Sequence, residues 1–347
     1  MSLEASAART SQLVRVDQLR VGDRVRVKSR EEILATLDPD GTVDGLPFMP
    51  EMLAFAGQTI PVDAVTHRTC DTVKSSGTSG TTRRMPKAVH LRNVRCDGSW
   101  HGGCQARCLI FWKEDWLESA PDEQASTGAA PPAAVGDVPA SLVATAHGEG
   151  HTDDDPVFSC QATRMLDATS FVSPRRPGLW VKDVRSGNAT PGTALASLAV
   201  LAFNKWQDLS RRLPGSLRIR DGRAWPWYAP SGERRRQELL DLKPGEIVEV
   251  RSQAEIEATL DVSGALRGLR FGAEMLPYCG RRARVLARVD RIIDEQTGRM
   301  LKLRDCIILE DVWCQGTFRA LCRRKIYTYW REAWLRRVEP PPDTAMP

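Results

Sequence analysis

The chain has 347 residues, of which 41% are hydrophobic and 27% are charged. A chain of this kind is long enough for about two or three domains, each with its own core. Its 49 Lys and Arg residues against 44 Asp and Glu residues leave a formal net charge of only +5, which is far from the dense positive charge of a dedicated nucleic-acid-binding protein.

The N-terminal region has no apolar run typical of a signal peptide, and we expect residues 1–15 to be disordered. The longest apolar stretch, ALASLAVLAF at 194–203, is too short to span a bilayer and predicts a buried helix. We therefore expect a cytoplasmic protein without a membrane span. In the reducing cytosol its nine cysteines are not expected to form disulfides, so clustered cysteines indicate metal ligands, catalysis or burial.

An internal repeat organises the sequence. LRVGDRVRVKSREEILATLD, which begins at Leu19, returns at a constant offset as LKPGEIVEVRSQAEIEATLD, which begins at Leu242. After small length changes, WKEDWL at 112–117 matches WREAWL at 330–335. A solenoid needs several short repeats, whereas two long copies indicate duplicated domains. We therefore predict repeat domains at 16–117 and 239–338.

Within each repeat the sequence predicts short strands and one short helix. GDRVRV and GEIVEV alternate apolar with polar side chains, as a half-buried strand does. Ser29 and Ser252 each precede acidic residues and helix formers, which predicts N-caps. EQTG is expected to turn a β-hairpin. The tryptophans of WKEDWL and WREAWL have helical i,i+4 spacing, so both are expected to face one core.

The region between the repeats has a different composition. Residues 118–156 are rich in Ala, Pro, Gly and Asp, which predicts a flexible linker. Residues 157–238 regain apolar content, and Asn188 or Thr190 is expected to cap a helix that begins near Pro191. We expect this partly helical connector to pack on one or both repeats. The proline-rich tail at 339–347 is expected to be disordered.

Short strands that open with GDxVxV resemble those of SH3-like small barrels. We therefore predict a mainly β fold of the α+β class, with two duplicated SH3-like barrels and the partly helical connector. The fold itself implies no activity, because such barrels host many unrelated binding functions.

Four motifs lie along the chain: FSCQAT at 158–163, VRSGN at 184–188, RIIDEQTGRMLKLRD at 291–305 and YWREAWL at 329–335. Through them the chain resembles a family of uncharacterised bacterial proteins, with duplicated SH3-like, cysteine-containing domains that end in a WxExWL segment. The resemblance covers most of the chain outside the linker. It implies the architecture and brings no established activity.

Eight of the nine cysteines fall inside the repeats, four in each copy. They are Cys70, Cys96, Cys104 and Cys108 in the first repeat, and Cys279, Cys306, Cys314 and Cys322 in the second. Four thiolates is the number that a structural zinc ion or an iron–sulfur cluster takes, although the CxxC pairs of the strong signatures are missing. His101 is an alternative fourth ligand in the first repeat, and Arg319 stands at its place in the second.

These cysteines leave three alternatives open. Structural zinc is favoured, an iron–sulfur cluster is the second alternative, and plain burial without a metal is the third. Burial is supported by the repeat alignment, in which Cys70 and Cys108 correspond to Ile293 and Ile326. Cys160 lies outside both groups and is expected to be a buried thiol rather than a catalytic one.

Glu51 and Glu274 occupy matched positions and could act as acids or bases, or hold a cation. A role in the fold is favoured for both, because the two copies must solve the same packing problem. We find no HExxH, GxSxG, P-loop or dinucleotide motif, so no catalytic residue is identified.

The run CRRKIYTYWREAWLRR at 322–337 interleaves aromatic and basic residues, which suits contact with bases and phosphates. Nearby acidic residues and the expected core position of the tryptophans weigh against that role. We therefore expect a non-catalytic metal-binding module that binds a protein partner or assists an enzyme. The alternatives are a redox or catalytic metalloprotein, with an iron–sulfur cluster or an open metal position, and a KOW-like nucleic-acid-binding protein.

Overall fold

The computed structural model describes residues 14–72, 82–120, 135–228, 230, 232 and 239–338. Most of their regular elements are short strands, accompanied by a few helices, so the predicted mainly β, α+β class is confirmed. Most of the N-terminal segment and all of the tail that were expected to be disordered lie outside the described residues.

The first repeat folds around a five-stranded antiparallel sheet. Its elements are β1 (Arg24–Val27), α1 (Arg30–Leu34), β2 (Thr42–Val43), β3 (Leu46–Pro47), β4 (Thr59–Val65), β5 (Thr69–Cys70), β6 (Thr82–Arg84), β7 (Ala88–Arg95), β8 (Leu109–Lys113) and β9 (Leu117–Ser119). The strand order is β8-β7-β4-β1-β9. Strands β8 and β9 lie at opposite edges, although only the 3-10 turn Glu114–Trp116 separates them, so the sheet curls into a half-barrel.

The region between the repeats packs against the first repeat. The segment predicted as a linker contains α2 (Ala140–Ala144), and the connector contains β10 (Ser170–Phe171), α3 (Pro177–Arg185) and α4 (Pro191–Ser210). As predicted, Thr190 caps α4, with its hydroxyl accepting the N–H of Thr193 at 3.1 Å. Strand β10 pairs with β6. Part of the segment expected to be a flexible linker is helical, because Leu142 of α2 is buried in the core of the first repeat.

The second repeat has the same arrangement. Its elements are β11 (Ile247–Val250), α5 (Gln253–Glu257), β12 (Ala265–Leu266), β13 (Leu269–Arg270), β14 (Arg282–Arg288), β15 (Arg291–Ile293), β16 (Met300–Lys302), β17 (Cys306–Leu309), β18 (Trp330–Arg331) and β19 (Leu335–Arg337). The strand order β18-β17-β14-β11-β19 matches that of the first sheet. The predicted hairpin is present as β15 and β16. Ser29 and Ser252 are the predicted N-caps, and each is part of a capping box.

The tryptophan pairs lie in the two cores, but not on helices. Trp112 is on β8 and Trp116 ends the following 3-10 turn, with their rings edge to face at 6.5 Å. Trp330 and Trp334 are placed in the same way and are also fully buried. Pairing of β8 with β7 overrides the local helical pattern, and a strand followed by one turn still directs both rings into one core.

The two repeats contact each other through matched loops. The sulfur of Cys104 accepts the backbone N–H of Ile293 at 3.4 Å, and the sulfur of Cys322 accepts the backbone N–H of Cys70 at 3.1 Å. In the repeat alignment Cys104 corresponds to Cys322, and Ile293 corresponds to Cys70. Each cysteine loop therefore makes the same contact with the other repeat, and the interface has an internal pseudo-twofold symmetry.

Arg68 joins the two repeats and the connector. Its side chain is fully buried, forms an ion pair with Asp183 of α3 at 2.9 Å, and donates to the carbonyl of Ala320 at 3.2 Å. The guanidinium carbon also lies 4.0 Å from the centre of the Trp180 ring. A buried charge that loses its partner is strongly destabilising, so this ion pair holds three parts of the chain in one arrangement.

Replacing Arg68 with Ala should lower the free energy of unfolding by about 3–5 kcal/mol, because Asp183 would be left as an unpaired buried carboxylate. Arg164 provides the matched control, since its ion pair with Asp167 is exposed and Arg164→Ala should cost less than about 1 kcal/mol. Urea denaturation followed by circular dichroism measures both. Equal effects of the two substitutions would contradict the prediction.

Candidate metal centre

A carboxylate, a thiol and an imidazole meet inside the first repeat. Glu51 lies in the 3-10 helix Pro50–Phe55, Cys96 directly follows β7, and His101 lies in the loop that leads to β8. Oε1 of Glu51 is 3.0 Å from Sγ of Cys96 and 3.4 Å from Nδ1 of His101. Among the described residues, this is the group of potential ligand atoms that lies within 4.8 Å of one another.

The shape of the loop at 96–108 places these side chains. The N–H of Cys96 donates to the carbonyl of Cys108 at 2.9 Å, which closes the base of the loop. Gly98 has φ +75°, and a Cβ there would overlap the carbonyl oxygen of Cys104. Gly316 has the same conformation beside Cys322. Glycine is therefore required in both repeats for the tight turn that brings the second cysteine back over the first.

The hydrogen bonds of His101 define its tautomer. Its Nε2 lies 3.1 Å from the carbonyl oxygen of Ser159, which can only accept, so Nε2 carries the proton. In the neutral ring Nδ1 is then a bare acceptor that faces the carboxylate of Glu51. Neither Nδ1 of His101 nor Oε2 of Glu51 has a hydrogen-bond partner within the described part of the chain, although both are buried. A cation held between these two buried acceptors would satisfy them.

The second repeat handles the equivalent carboxylate differently. Oε2 of Glu274 accepts the N–H of Gln315 at 3.2 Å, and Oε1 accepts the N–H of Phe318 at 2.8 Å. Burial raises the pKa of Glu274, while these backbone N–H groups act in the opposite direction. Arg319 stands where the first repeat has His101. The sequence favours a structural role for both glutamates. Glu274 has such a role, whereas Glu51 faces a cysteine and a histidine.

A cavity of about 310 Å³ adjoins the group. Its walls include five thiol or imidazole side chains: Cys96, His101, Cys104, Cys108 and Cys160. The second repeat provides Ile292, Ile293, Glu295, Arg324 and Tyr329. The cavity therefore lies between the two repeats, with most of its soft metal ligands on the first.

Burial raises the pKa of three cavity thiols, which keeps them protonated at neutral pH. Burial raises the pKa of Cys108 to about 12 and that of Cys160 to about 11, although the Arg324 guanidinium acts against this at Cys108. Burial also raises the pKa of Cys96 well above its usual range, and the Glu51 carboxylate adds to the shift. A metal ion bound by these sulfurs would have to displace their protons, so its affinity should rise with pH.

The structure distributes the cysteines of the two predicted quartets differently from the sequence repeats. Cys70 does not lie with the other cysteines of the first quartet but contacts Cys322 of the second repeat. A hydrogen bond joins the two residues, and the proximity of Cys322 raises the pKa of the Cys70 thiol. Cys314 lies near this pair. Cys279 packs in the core of the second repeat, and Cys306 lies 3.5 Å from the Arg331 guanidinium, away from the other cysteines.

Cys160 lies with the cysteines of the first repeat at the cavity, although no cysteine spacing in the sequence predicts this. The neighbouring Gln161 fixes its segment, because the amide accepts the N–H of Phe111 at 2.8 Å and donates to the carbonyls of Phe111 and Pro47 at 2.9 and 3.2 Å. The connector is thereby held against β8, and Cys160 reaches the cavity wall. This long-range contact helps to place Cys160 at the site.

The chain matches no family model, no curated protein and no solved structure. Within the described residues, no helix combines the length and the apolar character needed to cross a membrane. The chemistry of the site must therefore be inferred from its own geometry.

In the metal-free protein, Cys108 should react with iodoacetamide at pH 8 about 10³ times more slowly than in the unfolded chain. The reason is that a pKa of about 12 leaves a far smaller thiolate fraction than an ordinary pKa near 8.5. The rate should rise about tenfold per pH unit between pH 8 and 11. Timed quenching and mass spectrometry measure it, and a pH-independent rate would contradict the raised pKa.

Proposed function

We propose that this chain is a metal-binding protein whose ion is held by Glu51, Cys96 and His101 at the wall of the cavity between the repeats. The observation that carries the proposal is the pair of buried acceptors, Nδ1 of His101 and Oε2 of Glu51, that lack hydrogen-bond partners in the described residues. A divalent cation between the imidazole and the carboxylate would satisfy Nδ1, balance the charge of the carboxylate and replace the proton on Cys96. Carboxylate oxygen, thiolate sulfur and imidazole nitrogen together suit zinc.

The separation of the histidine and glutamate ligand atoms fits a single ion, whereas Sγ of Cys96 lies 3.0 Å from Oε1 of Glu51, at the distance of the thiol hydrogen bond that the ion would replace. Nitrogen and oxygen atoms that each lie about 2.1 Å from a tetrahedral zinc ion are separated by about 3.4 Å. The distance from Nδ1 of His101 to Oε1 of Glu51 is 3.4 Å. The carbonyl of Ser159 orients the ring from its other nitrogen, as partners outside the ligand set do in zinc sites.

Three protein ligands leave one position for a further molecule. Zinc sites closed by four protein ligands are structural, whereas three ligands and an open position are typical of sites that bind or activate a molecule. Cys96 and His101 both line the cavity, so we infer that the fourth position faces it. This differs from the closed four-thiolate site expected from the sequence, and it favours a metal centre that binds a small ligand.

The second candidate is an iron–sulfur cluster. Four thiols, from Cys96, Cys104, Cys108 and Cys160, line one space of about 310 Å³, which is larger than a single ion requires. Four thiolates that bind a cluster are separated more widely than those around one zinc ion. This agrees with a set of cysteines that share a cavity, although no three of their sulfurs all lie within 4.8 Å of one another.

We further propose that each curled sheet is an SH3-like barrel and that the two arose by duplication. The matched strand orders, the repeated sequence and the equivalent turns at Gly98 and Gly316 support this. A protein or enzyme partner fits such a module. Trp330 and Trp334 are fully buried and so unsuited to stack on bases, which weakens the KOW-like alternative.

Metal analysis of anaerobically purified protein tests the proposal. We expect about one zinc ion per chain, because the three ligands define one site. The substitutions Cys96→Ser, His101→Ala and Glu51→Gln should each lower the zinc content or the zinc affinity by about tenfold or more. Cys314→Ser and Glu274→Gln change the equivalent positions of the second repeat and should leave the zinc content unchanged. Cobalt substitution should add a thiolate charge-transfer band that is lost in Cys96→Ser.

The same measurements separate the two candidates. Several iron atoms per chain with visible absorbance, lost in Cys160→Ser and Cys108→Ser, would establish the cluster and overturn the zinc site. A protein that contains neither metal, and takes up neither when it is supplied, would overturn both. Equal losses in the first-repeat and second-repeat variants would indicate a folding defect and would also count against the zinc site.

A further inference from the structure

Helix α4 carries an apolar stripe on its exposed side. The stripe consists of Leu195, Leu198, Ala202, Trp206, Leu209 and Leu213, which follow one another at spacings of three and four. This spacing places them on one face of the helix and of the turn that extends it. Leu195 is 69% exposed and Leu209 is 58% exposed. The buried helix expected from the sequence is therefore exposed along its most apolar side.

The opposite side of α4 attaches through a small apolar cluster, in which Ala194 and Leu201 pack near Leu321, and through polar contacts. Ser197 donates to the carbonyl of Thr317 at 2.7 Å. Gln207 is fully buried and donates to the carbonyls of Ile219 and Arg223 at 3.0 and 2.9 Å. A helix on the surface of a water-soluble domain normally has the reverse arrangement, with its leucines inside and its amides outside. The stripe is thus available for something other than the core.

The surroundings of the stripe are basic. Residues 191–223 carry six cations, Lys205, Arg211, Arg212, Arg218, Arg220 and Arg223, against two carboxylates, Asp208 and Asp221. Lys205 and Arg212 are exposed and lie along one edge of the stripe, one helical position away from Trp206 and Leu213. Trp225, in the following segment, is also 41% exposed. Leucine and tryptophan side chains with a basic border are typical of helices that lie in the interface of an anionic bilayer.

We propose that the stripe at Leu195–Leu213 binds the surface of an anionic lipid membrane, with α4 parallel to the bilayer plane. The leucines and Trp206 enter the boundary between headgroups and acyl chains, and Lys205 and Arg212 contact lipid phosphates. A second copy of the chain fits less well, because an α4–α4 contact would bring these cations together. A lipid surface requires no matching groove, which suits a single convex helix face. The inference is independent of the metal site.

Flotation of the full-length protein with lipid vesicles tests this binding. Protein should float with vesicles of equal parts phosphatidylglycerol and phosphatidylcholine, and about tenfold less should float with phosphatidylcholine alone. The double substitution Leu198→Glu, Leu209→Glu should lower the bound fraction about tenfold or more. Val262→Glu is the matched control, since Val262 is 91% exposed on the second repeat and its change should have no effect. Lys205→Gln and Arg212→Gln should each weaken binding about fivefold at low salt.

Several outcomes would overturn the proposal. One is a wild-type protein that does not float with anionic vesicles, and another is equal flotation with neutral vesicles. A third is equal loss of binding in Val262→Glu. Light scattering provides a further check: a dimer that the double substitution abolishes, in a protein that does not float, would assign the stripe to self-association. Unchanged circular dichroism spectra would show that the variants are folded, because only exposed side chains are replaced.

Discussion

The structure depends on one reciprocal contact between the two repeats. The cysteine loop of each repeat reaches across to the other, so that Cys104 accepts the N–H of Ile293 and Cys322 accepts the N–H of Cys70. Neither contact can form within a single repeat, because each joins a loop of one copy to a strand of the other. The first of these loops also carries Cys96 and His101. Docking of the repeats therefore encloses the cavity, and the candidate site and the interface form one structural unit.

The two cysteine loops have the same backbone conformation, but the residues at equivalent positions have different chemical roles. Both turn at a glycine of positive φ, and both bring a buried glutamate beside the first cysteine. In the second repeat the backbone N–H groups of the loop satisfy Glu274, so the carboxylate serves the fold. In the first repeat Glu51 instead meets a thiol and an imidazole. His101 in the first repeat occupies the position of Arg319 in the second. Glu274 therefore stabilises its loop, whereas Glu51 can bind an ion together with His101.

The sequence predicts the local structure well and the assembly of the site poorly, for physical reasons. The serine caps, the capping threonine of α4 and the hairpin at β15 and β16 depend on neighbours within a few residues, so pattern and propensity are sufficient to find them. The tryptophan segments were expected to be helical because i,i+4 spacing fits a helix, yet pairing with a neighbouring strand decides their conformation. The sequence predicts one cysteine group in each repeat, but Cys70 contacts the cysteine loop of the second repeat, and Cys160 of the connector lines the cavity. Contacts between segments that are distant in the chain cannot be predicted from the spacing of residues in the sequence.

A protonated His101 paired with Glu51 is the simplest arrangement that needs no metal, and the geometry disfavours it. A charge-assisted bond between nitrogen and a carboxylate is about 2.7–2.9 Å long, whereas the two atoms are 3.4 Å apart. A cation between the imidazole and the carboxylate accounts for the 3.4 Å separation and for the bare Nδ1, and it would replace the thiol proton that Cys96 donates to Oε1. The same cation would fix the loop that docks on the second repeat, so binding of the ion and association of the repeats would stabilise each other.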